Sequence, residues 1–126
     1  MRRDKVRRER LKALAICLCA YTTLTCAAVP TDVVTASVYC SLNYAEAAAC
    51  KMKDRIGSDG VHNMEFVFGE HRLVFVGKSQ TGWWSGKLDG QPAMGRELNR
   101  GHVMYSTADL KTAFEWWSEG SEHGEY

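Results

Sequence analysis

The stretch NMEFVFGEHRLVFVG, residues 63–77, predicts a β-hairpin and sets the β character of the chain. Two apolar runs flank Gly69-Glu70, and glycine in the first central position is what a type II′ turn requires. Pairing Phe68 with His71 gathers one apolar set on a single face of the hairpin: Met64, Phe66, Phe68, Leu73 and Phe75. A shift of one residue would scatter this set over both faces, so the hydrophobic pattern specifies the register.

A second hairpin is predicted within TGWWSGKLDGQPAMG, residues 81–95. Asp89-Gly90 suits a type I′ turn, which pairs Leu88 with Gln91, Gly86 with Ala93 and Trp84 with Gly95. Neighbouring residues of a strand point to opposite faces, so Trp83 and Trp84 are expected to be divided between the core and the solvent. Pro92 predicts that the second strand is an edge strand or very short.

The remaining segments are predicted with less regular patterns. Val33–Tyr39 and His102–Ser106 are predicted strands, and residues 95–101 a loop. A helix is predicted over 44–53, from an Asn43 cap and an alanine-rich stripe, although residues 50–56 also alternate as a strand would. A second helix is predicted over 107–117, from a capping box and apolar residues at helical spacing, with the strand alternation of Leu110, Thr112, Phe114 and Trp116 as the competing interpretation.

These elements predict a β-dominated α+β domain: a small antiparallel sheet of two hairpins plus strands, with one or two short helices.

The N-terminal segment predicts export. It begins MRRDKVRRERLK, in which seven of the first twelve residues are Arg or Lys, and continues with the apolar run ALAICLCA, residues 13–20. A basic leader, a short apolar segment and small residues at its end are typical of a signal peptide. Residues 1–28 are therefore predicted to be a signal peptide or a lipoprotein signal, and residues 29–126 a single small domain in the periplasm or outside the cell. Cleavage after Ala28 would give a soluble product, whereas lipid on Cys26 would anchor the protein. Membrane association is expected only through an uncleaved signal or that lipid.

The cysteines predict one disulfide. Cys17 and Cys19 leave with the signal, and Cys26 either leaves or carries lipid, so Cys40 and Cys50 remain as a pair. In an oxidising compartment we expect them to be bonded, the alternative being two unrelated buried thiols.

The charge balance changes once the leader is removed. Of 16 basic and 15 acidic residues in the whole chain, seven basic and two acidic lie in residues 1–28, which leaves 9 basic and 13 acidic residues and a net charge of −4. A mildly acidic domain argues against a nucleic-acid partner.

Catalytic and metal motifs are weak in this sequence. The four histidines lie at none of the usual ligand spacings, so neither a metal nor another cofactor is expected. Glu97 with His102 is a conceivable acid–base pair, and Ser85 a conceivable nucleophile, but the Gly-x-Ser-x-Gly turn that would present a serine is missing, because position 83 is Trp. A small hydrolase therefore stays an alternative rather than the expectation.

The aromatic residues indicate binding. The four tryptophans come in two pairs, and an exposed ring beside charged and amide groups would form a patch suited to a protein or an envelope polymer. The candidate binding residues are Trp83, Trp84, Arg96, Glu97, Asn99, Arg100, Trp116 and Trp117. The expected function is that of an exported, non-enzymatic binding or inhibitor-like module, with a lipid-anchored structural or exclusion lipoprotein as another alternative. In size, export and single disulfide the chain is similar to small envelope inhibitors of lysozyme, a general likeness without a shared motif.

Overall fold

The computed structural model describes residues 32–120, which form a closed barrel of eight antiparallel strands in which each strand pairs with the next and β8 returns to β1. The strands are β1 (Asp32–Leu42), β2 (Ala48–Ile56), β3 (His62–Phe68), β4 (His71–Gln80), β5 (Trp83–Leu88), β6 (Gln91–Asn99), β7 (His102–Thr107) and β8 (Ala113–Trp117).

Both predicted hairpins are present in the predicted registers. Phe68 pairs with His71, and Met64 with Phe75, across β3 and β4. Leu88 pairs with Gln91, and Trp84 with Gly95, across β5 and β6. The backbone angles suit the predicted turns, because φ is positive at Gly69 in the first and at both Asp89 and Gly90 in the second.

The predicted α+β fold is wrong, because residues 32–120 contain no helix and the sheet closes on itself. Residues 48–56 form β2, although 48–53, six of these nine residues, were assigned to a helix. Its buried side chains, Cys50, Met52 and Asp54, alternate with exposed cations. In a helix, the buried residues and the cations would share a face, whereas in a strand they point to opposite faces.

The second predicted helix is also wrong. The pattern interpreted as a capping box closes a tight loop instead: the Thr107 hydroxyl donates to Asp109 Oδ1 at 2.7 Å, and the Lys111 amide donates to the same oxygen at 3.0 Å. Leu110, expected on the buried stripe of that helix, is 82% exposed with φ at +62°. The chain then enters β8, where Phe114 and Trp116 face inward in strand alternation.

Two smaller expectations fail because β6 pairs with β7 as well as with β5. Pro92 lies in β6, which has a partner on each side and runs nine residues. It is tolerated because the paired part of β6 and β7 begins only at the next residue, Ala93, and because Pro92 contributes its carbonyl, which accepts from the Ala108 amide. The segment expected to be a loop, 95–101, continues β6 as far as Asn99, with a bulge between Glu97 and Asn99.

The barrel interior is a packed aromatic and aliphatic core. Its fully buried large side chains include Phe66, Phe75, Tyr105 and Phe114, with rings 4.4–6.1 Å apart. The Cys40–Cys50 disulfide lies within it and joins neighbouring strands β1 and β2. An eight-stranded barrel is just wide enough for side chains to fill its lumen. The surfaces available for binding therefore lie on the outer wall and at the ends.

Candidate binding surface on the outer wall

The tandem tryptophans are divided by the barrel wall. Trp84 faces inward, is 9% exposed and packs its ring against His62 and Phe75. Trp83 faces outward and is 53% exposed. Because side chains alternate along a strand, Trp84 lies in the core and Trp83 in solvent, as the sequence predicted.

Trp83 belongs to an exposed apolar patch on the outer wall, which we name the wall patch. Its members lie on β5, β6 and β7 and line a shallow groove of about 370 Å³; they are Trp83, Met94, Arg96, Leu98 and Met104. The strand registers explain the cluster, because Trp83 pairs with Arg96 and Arg96 pairs with Met104. Met94 is 61% exposed and Leu98 is 38% exposed, so the apolar area is open to solvent.

Arg96 is held over this surface by the indole of Trp83. Its guanidinium carbon lies 5.6 Å from the centroid of the Trp83 ring, in the range of a cation–π contact. The arrangement leaves the guanidinium donors free to meet an acceptor on a partner, since no described hydrogen bond or ion pair uses them.

The other predicted binding residues fall elsewhere. Trp116 is an inward core residue, 9% exposed. Trp117 points outward but is half-buried, with its ring against Tyr39 and His102. Glu97, Asn99 and Arg100 lie at the end of β6 and in the turn that follows, and none of them lines the groove.

Sequence reasoning missed three members of the wall patch: Met94, Leu98 and Met104. The signal was the even-numbered alternation of residues 94, 96 and 98. It was overlooked because residues 95–101 were interpreted as a loop, which separated Leu98 from Met94. Met104, in the predicted strand His102–Ser106, joins them only through the pairing of β6 with β7.

Residues 32–120 contain two histidine–carboxylate pairs, and neither is the pair considered from the sequence. His102 Nε2 lies 2.7 Å from Glu115 Oε1, rather than bonding Glu97. His62 Nδ1 lies 2.6 Å from Asp54 Oδ2 at one end of the barrel lumen. Among the hydrogen bonds of residues 32–120, neither histidine contacts a serine hydroxyl, and Ser85 lies on the outer face of β5.

The lumen contains one further polar chain, centred on Tyr105. Trp116 Nε1 donates to the Tyr105 hydroxyl at 3.5 Å, and that hydroxyl donates to Met64 Sδ at 3.6 Å. Burial raises the pKa of Tyr105 far above its usual value. The hydrogen bond from Trp116 opposes this shift and the charge of Asp54 adds to it. The hydroxyl is therefore a neutral structural group at physiological pH.

No group of three or more His, Cys, Asp or Glu side chains between residues 32 and 120 is arranged to hold a metal ion. In that same range no helix is long and apolar enough to cross a membrane. The predicted signal, the lipidation candidate Cys26 and His123 lie outside the described residues.

Comparisons of the chain with protein-family models, with curated proteins and with solved structures find no match.

Proposed function

We propose that this protein is a non-enzymatic binding module that recognises a partner protein through the wall patch. The observation that carries the proposal is the exposed cluster of Trp83, Met94 and Leu98 beside Arg96. Trp, Met and Arg are the side chains most enriched where proteins meet, and a large exposed apolar cluster is unusual on a surface that has no partner.

The chemistry of the wall patch sets the chemistry of the partner. Apolar side chains of the partner would cover Trp83 and Met94, and a carboxylate would accept the free donors of Arg96. Desolvation around a central aromatic anchor concentrates the binding energy there, so Trp83 is expected to contribute most.

An exported location is part of this proposal. The Cys40–Cys50 disulfide is consistent with an oxidising compartment, and the basic and apolar N-terminal segment supports the same location.

Photo-crosslinking tests the proposal. A benzophenone side chain is placed at Leu98, inside the wall patch, and separately at Val76, an exposed apolar position on the outer face of β4. Exposed to an extract of the producing cell's envelope, the Leu98 probe should form a discrete protein adduct that the Val76 probe does not form.

A second substitution makes the result specific. Adding Trp83→Ala to the Leu98 probe should abolish the adduct, whereas adding Val33→Ser, at a 52% exposed position of β1, should leave it unchanged. Near-ultraviolet circular dichroism checks that each variant stays folded. Equal adducts from both probe positions, or an adduct that survives Trp83→Ala, would contradict the proposal.

A further inference from the structure

The outer face of β2 carries a ladder of cations, which we name the basic ladder: Lys51, Lys53 and Arg55. All three are exposed and alternate with inward-facing core residues. Alternate residues of a strand lie about 6.8 Å apart, so the three cationic residues follow one another along the outer face of β2 at about that spacing.

The basic ladder lies beside a continuous depression in the barrel wall. A groove of about 430 Å³ is lined by residues of β1, β2 and β3, among them Lys51, Lys53, Thr35, Ser37 and the acidic residue Glu65. A second groove of about 230 Å³ shares Ser37 and Lys51 with the first and extends it toward Tyr39. The floor is polar as well as basic: the Ser37 hydroxyl accepts a hydrogen bond from Lys51 Nζ at 3.3 Å.

The nearby carboxylates leave the basic ladder largely unneutralised. Glu65, opposite Lys53 on β3, is already paired with Arg72 at 2.9 Å. Asp54 points into the lumen toward His62. Among the described residues that line the second groove, Glu119 is the one carboxylate, and Lys51 lines the same groove. The row of cations is notable because residues 29–126, the predicted mature chain, are acidic overall, with 9 basic against 13 acidic residues.

We propose that the basic ladder is a binding site for an extended linear polyanion in which carboxylate or phosphate groups about 7 Å apart along the polymer, adjacent or not, each meet one rung. The site recognises charge and spacing rather than bases. Proteins that bind single-stranded nucleic acids stack the bases on exposed aromatic rings, and Tyr39, which lines the second groove, is stacked on Trp117.

The chain's own C-terminal residues are the competing occupant. They continue from Glu119 with Glu122 and Glu125, which would be about 10 Å apart in extended chain. That spacing does not match the rungs, so the external polymer fits the row better.

Fluorescence anisotropy with labelled polyglutamate tests the proposal, with long-chain inorganic polyphosphate as a competitor. Protein is recovered from the producing cells with its N-terminus determined, so that all variants carry the same N-terminal residues. At low ionic strength, Lys51→Gln/Lys53→Gln should weaken polyglutamate binding by about tenfold or more. Raising the salt concentration should weaken binding of the unaltered protein and reduce that difference.

The matched control is Lys87→Gln/Lys111→Gln, which removes the same charge from two exposed lysines on β5 and on the β7–β8 loop. It should change the affinity less than twofold. Equal losses in the two double variants would show that only net charge matters and would overturn the site.

Two further measurements distinguish the possible ligands of the basic ladder. Polyphosphate should displace polyglutamate, and oligothymidylate should bind no more tightly than either; tighter binding of oligothymidylate would overturn the assignment. A variant that ends at Ser118 should bind polyglutamate with nearly unchanged affinity. Binding that appears only after this truncation would show that the C-terminal residues occupy the basic ladder, and would overturn the external assignment.

Discussion

At the scale of single residues, Trp83 and Trp84 show how one step along a strand separates a solvent-exposed ring from a core ring. Trp84 fills the lumen against Phe75 and His62, whereas more than half of the Trp83 side chain is exposed. The same residue type is therefore expected to give opposite results when it is removed.

Trp84→Ala should lower the free energy of unfolding by about 3–5 kcal/mol, because it empties a large part of the core. Trp83→Ala should change that free energy by less than about 0.5 kcal/mol, as expected for a surface position. Urea denaturation measures both. Trp84→Phe serves as a further control. Because Trp84 Nε1 has no hydrogen-bond partner among the described residues, this substitution removes no hydrogen bond and should lower the free energy of unfolding much less than Trp84→Ala. Similar losses in the two alanine variants would show that the rings are not divided as described.

Tyr105 makes the stability of the barrel depend on alkaline pH. Because its folded pKa is raised, chiefly by burial, the hydroxyl stays protonated in the barrel when the unfolded chain has begun to ionise near pH 10. The contribution to stability is complete below that pH and is lost as the pH rises above it. The free energy of unfolding should therefore fall by about 1.4 kcal/mol per pH unit above pH 10.

Tyr105→Phe tests this pH dependence, since it removes the ionising group and should flatten the curve between pH 10 and 11.5. The control is Tyr44→Phe, at a position that is 75% exposed, and it should keep the slope of the unaltered protein. A slope that persists in Tyr105→Phe would assign the alkaline sensitivity to another group.

At the scale of strands and turns, local sequence was sufficient where a tight turn fixed the pairing. Gly69 and Asp89-Gly90 restrict the backbone so strongly that each turn determines its whole hairpin register. Residues 44–53 lacked such a signal. Alanine adds little to a strand and favours a helix, and only pairing of β2 with strands on both sides decides the outcome.

Local sequence was likewise insufficient to identify all the residues of the two proposed binding surfaces. Trp83 was identified from its alternation with Trp84, and Arg96 from its charge. Met94 and Met104 join them only because β6 and β7 are neighbours in register. The basic ladder is visible in the sequence as the strand-like alternation of Lys51, Lys53 and Arg55, but that alternation was only the competing interpretation to a helix over 44–53, which would not place the three cations in one row.

Gly77 and Gly86 pair directly across β4 and β5, and their lack of side chains lets the two strands approach closely. A Cβ on Gly86 would collide with the carbonyl oxygen of Val76, a backbone atom that cannot move aside without disturbing the ladder. We expect Gly86→Ala to lower the free energy of unfolding by about 2 kcal/mol or more.

The neighbouring substitution Ser85→Ala, on the outer face of the same strand, should change the unfolding free energy by less than about 0.5 kcal/mol. Thermal and urea denaturation compare the two variants. If Gly86→Ala were tolerated as well as Ser85→Ala, the close approach of β4 and β5 would be contradicted.

At the scale of the whole molecule, the deciding feature is closure between β1 and β8, which lie far apart in the sequence. Four residue pairs form this seam, from Tyr39 with Trp117 to Leu42 with Phe114. Neither strand shows in its own sequence that the other will be its neighbour, and so an open sheet was predicted. Closure removes both edges of the sheet and satisfies backbone groups that an open sheet would expose.

Asn43 fastens one end of that seam. The backbone N–H of Asn43 donates to the Ala113 carbonyl at 2.7 Å, and the side-chain Oδ1 of Asn43 accepts from the backbone N–H of Ala113 at 2.9 Å. Asn43 also has φ at +52°, a left-handed conformation that Asn tolerates better than most residues. Asn43→Ala removes the side-chain acceptor and strains the backbone, so it should lower the free energy of unfolding by about 1–3 kcal/mol. Asn43→Gly should lower the free energy of unfolding by less than Asn43→Ala, because glycine adopts the left-handed conformation without strain and only the side-chain hydrogen bond is lost.

Amide hydrogen exchange locates the effect of this substitution. In the unaltered protein, amides paired across the β1–β8 seam should be protected as well as those paired across β4 and β5, because a closed barrel has no weaker edge. In Asn43→Ala the seam amides near Leu42 and Phe114 should exchange faster than those of β4 and β5. Asn63→Ala, at an exposed position on β3, should leave both groups unchanged. If the seam amides of the unaltered protein exchanged as fast as those of a free edge, the sheet would be open in solution and both outer surfaces would need to be placed on a different scaffold.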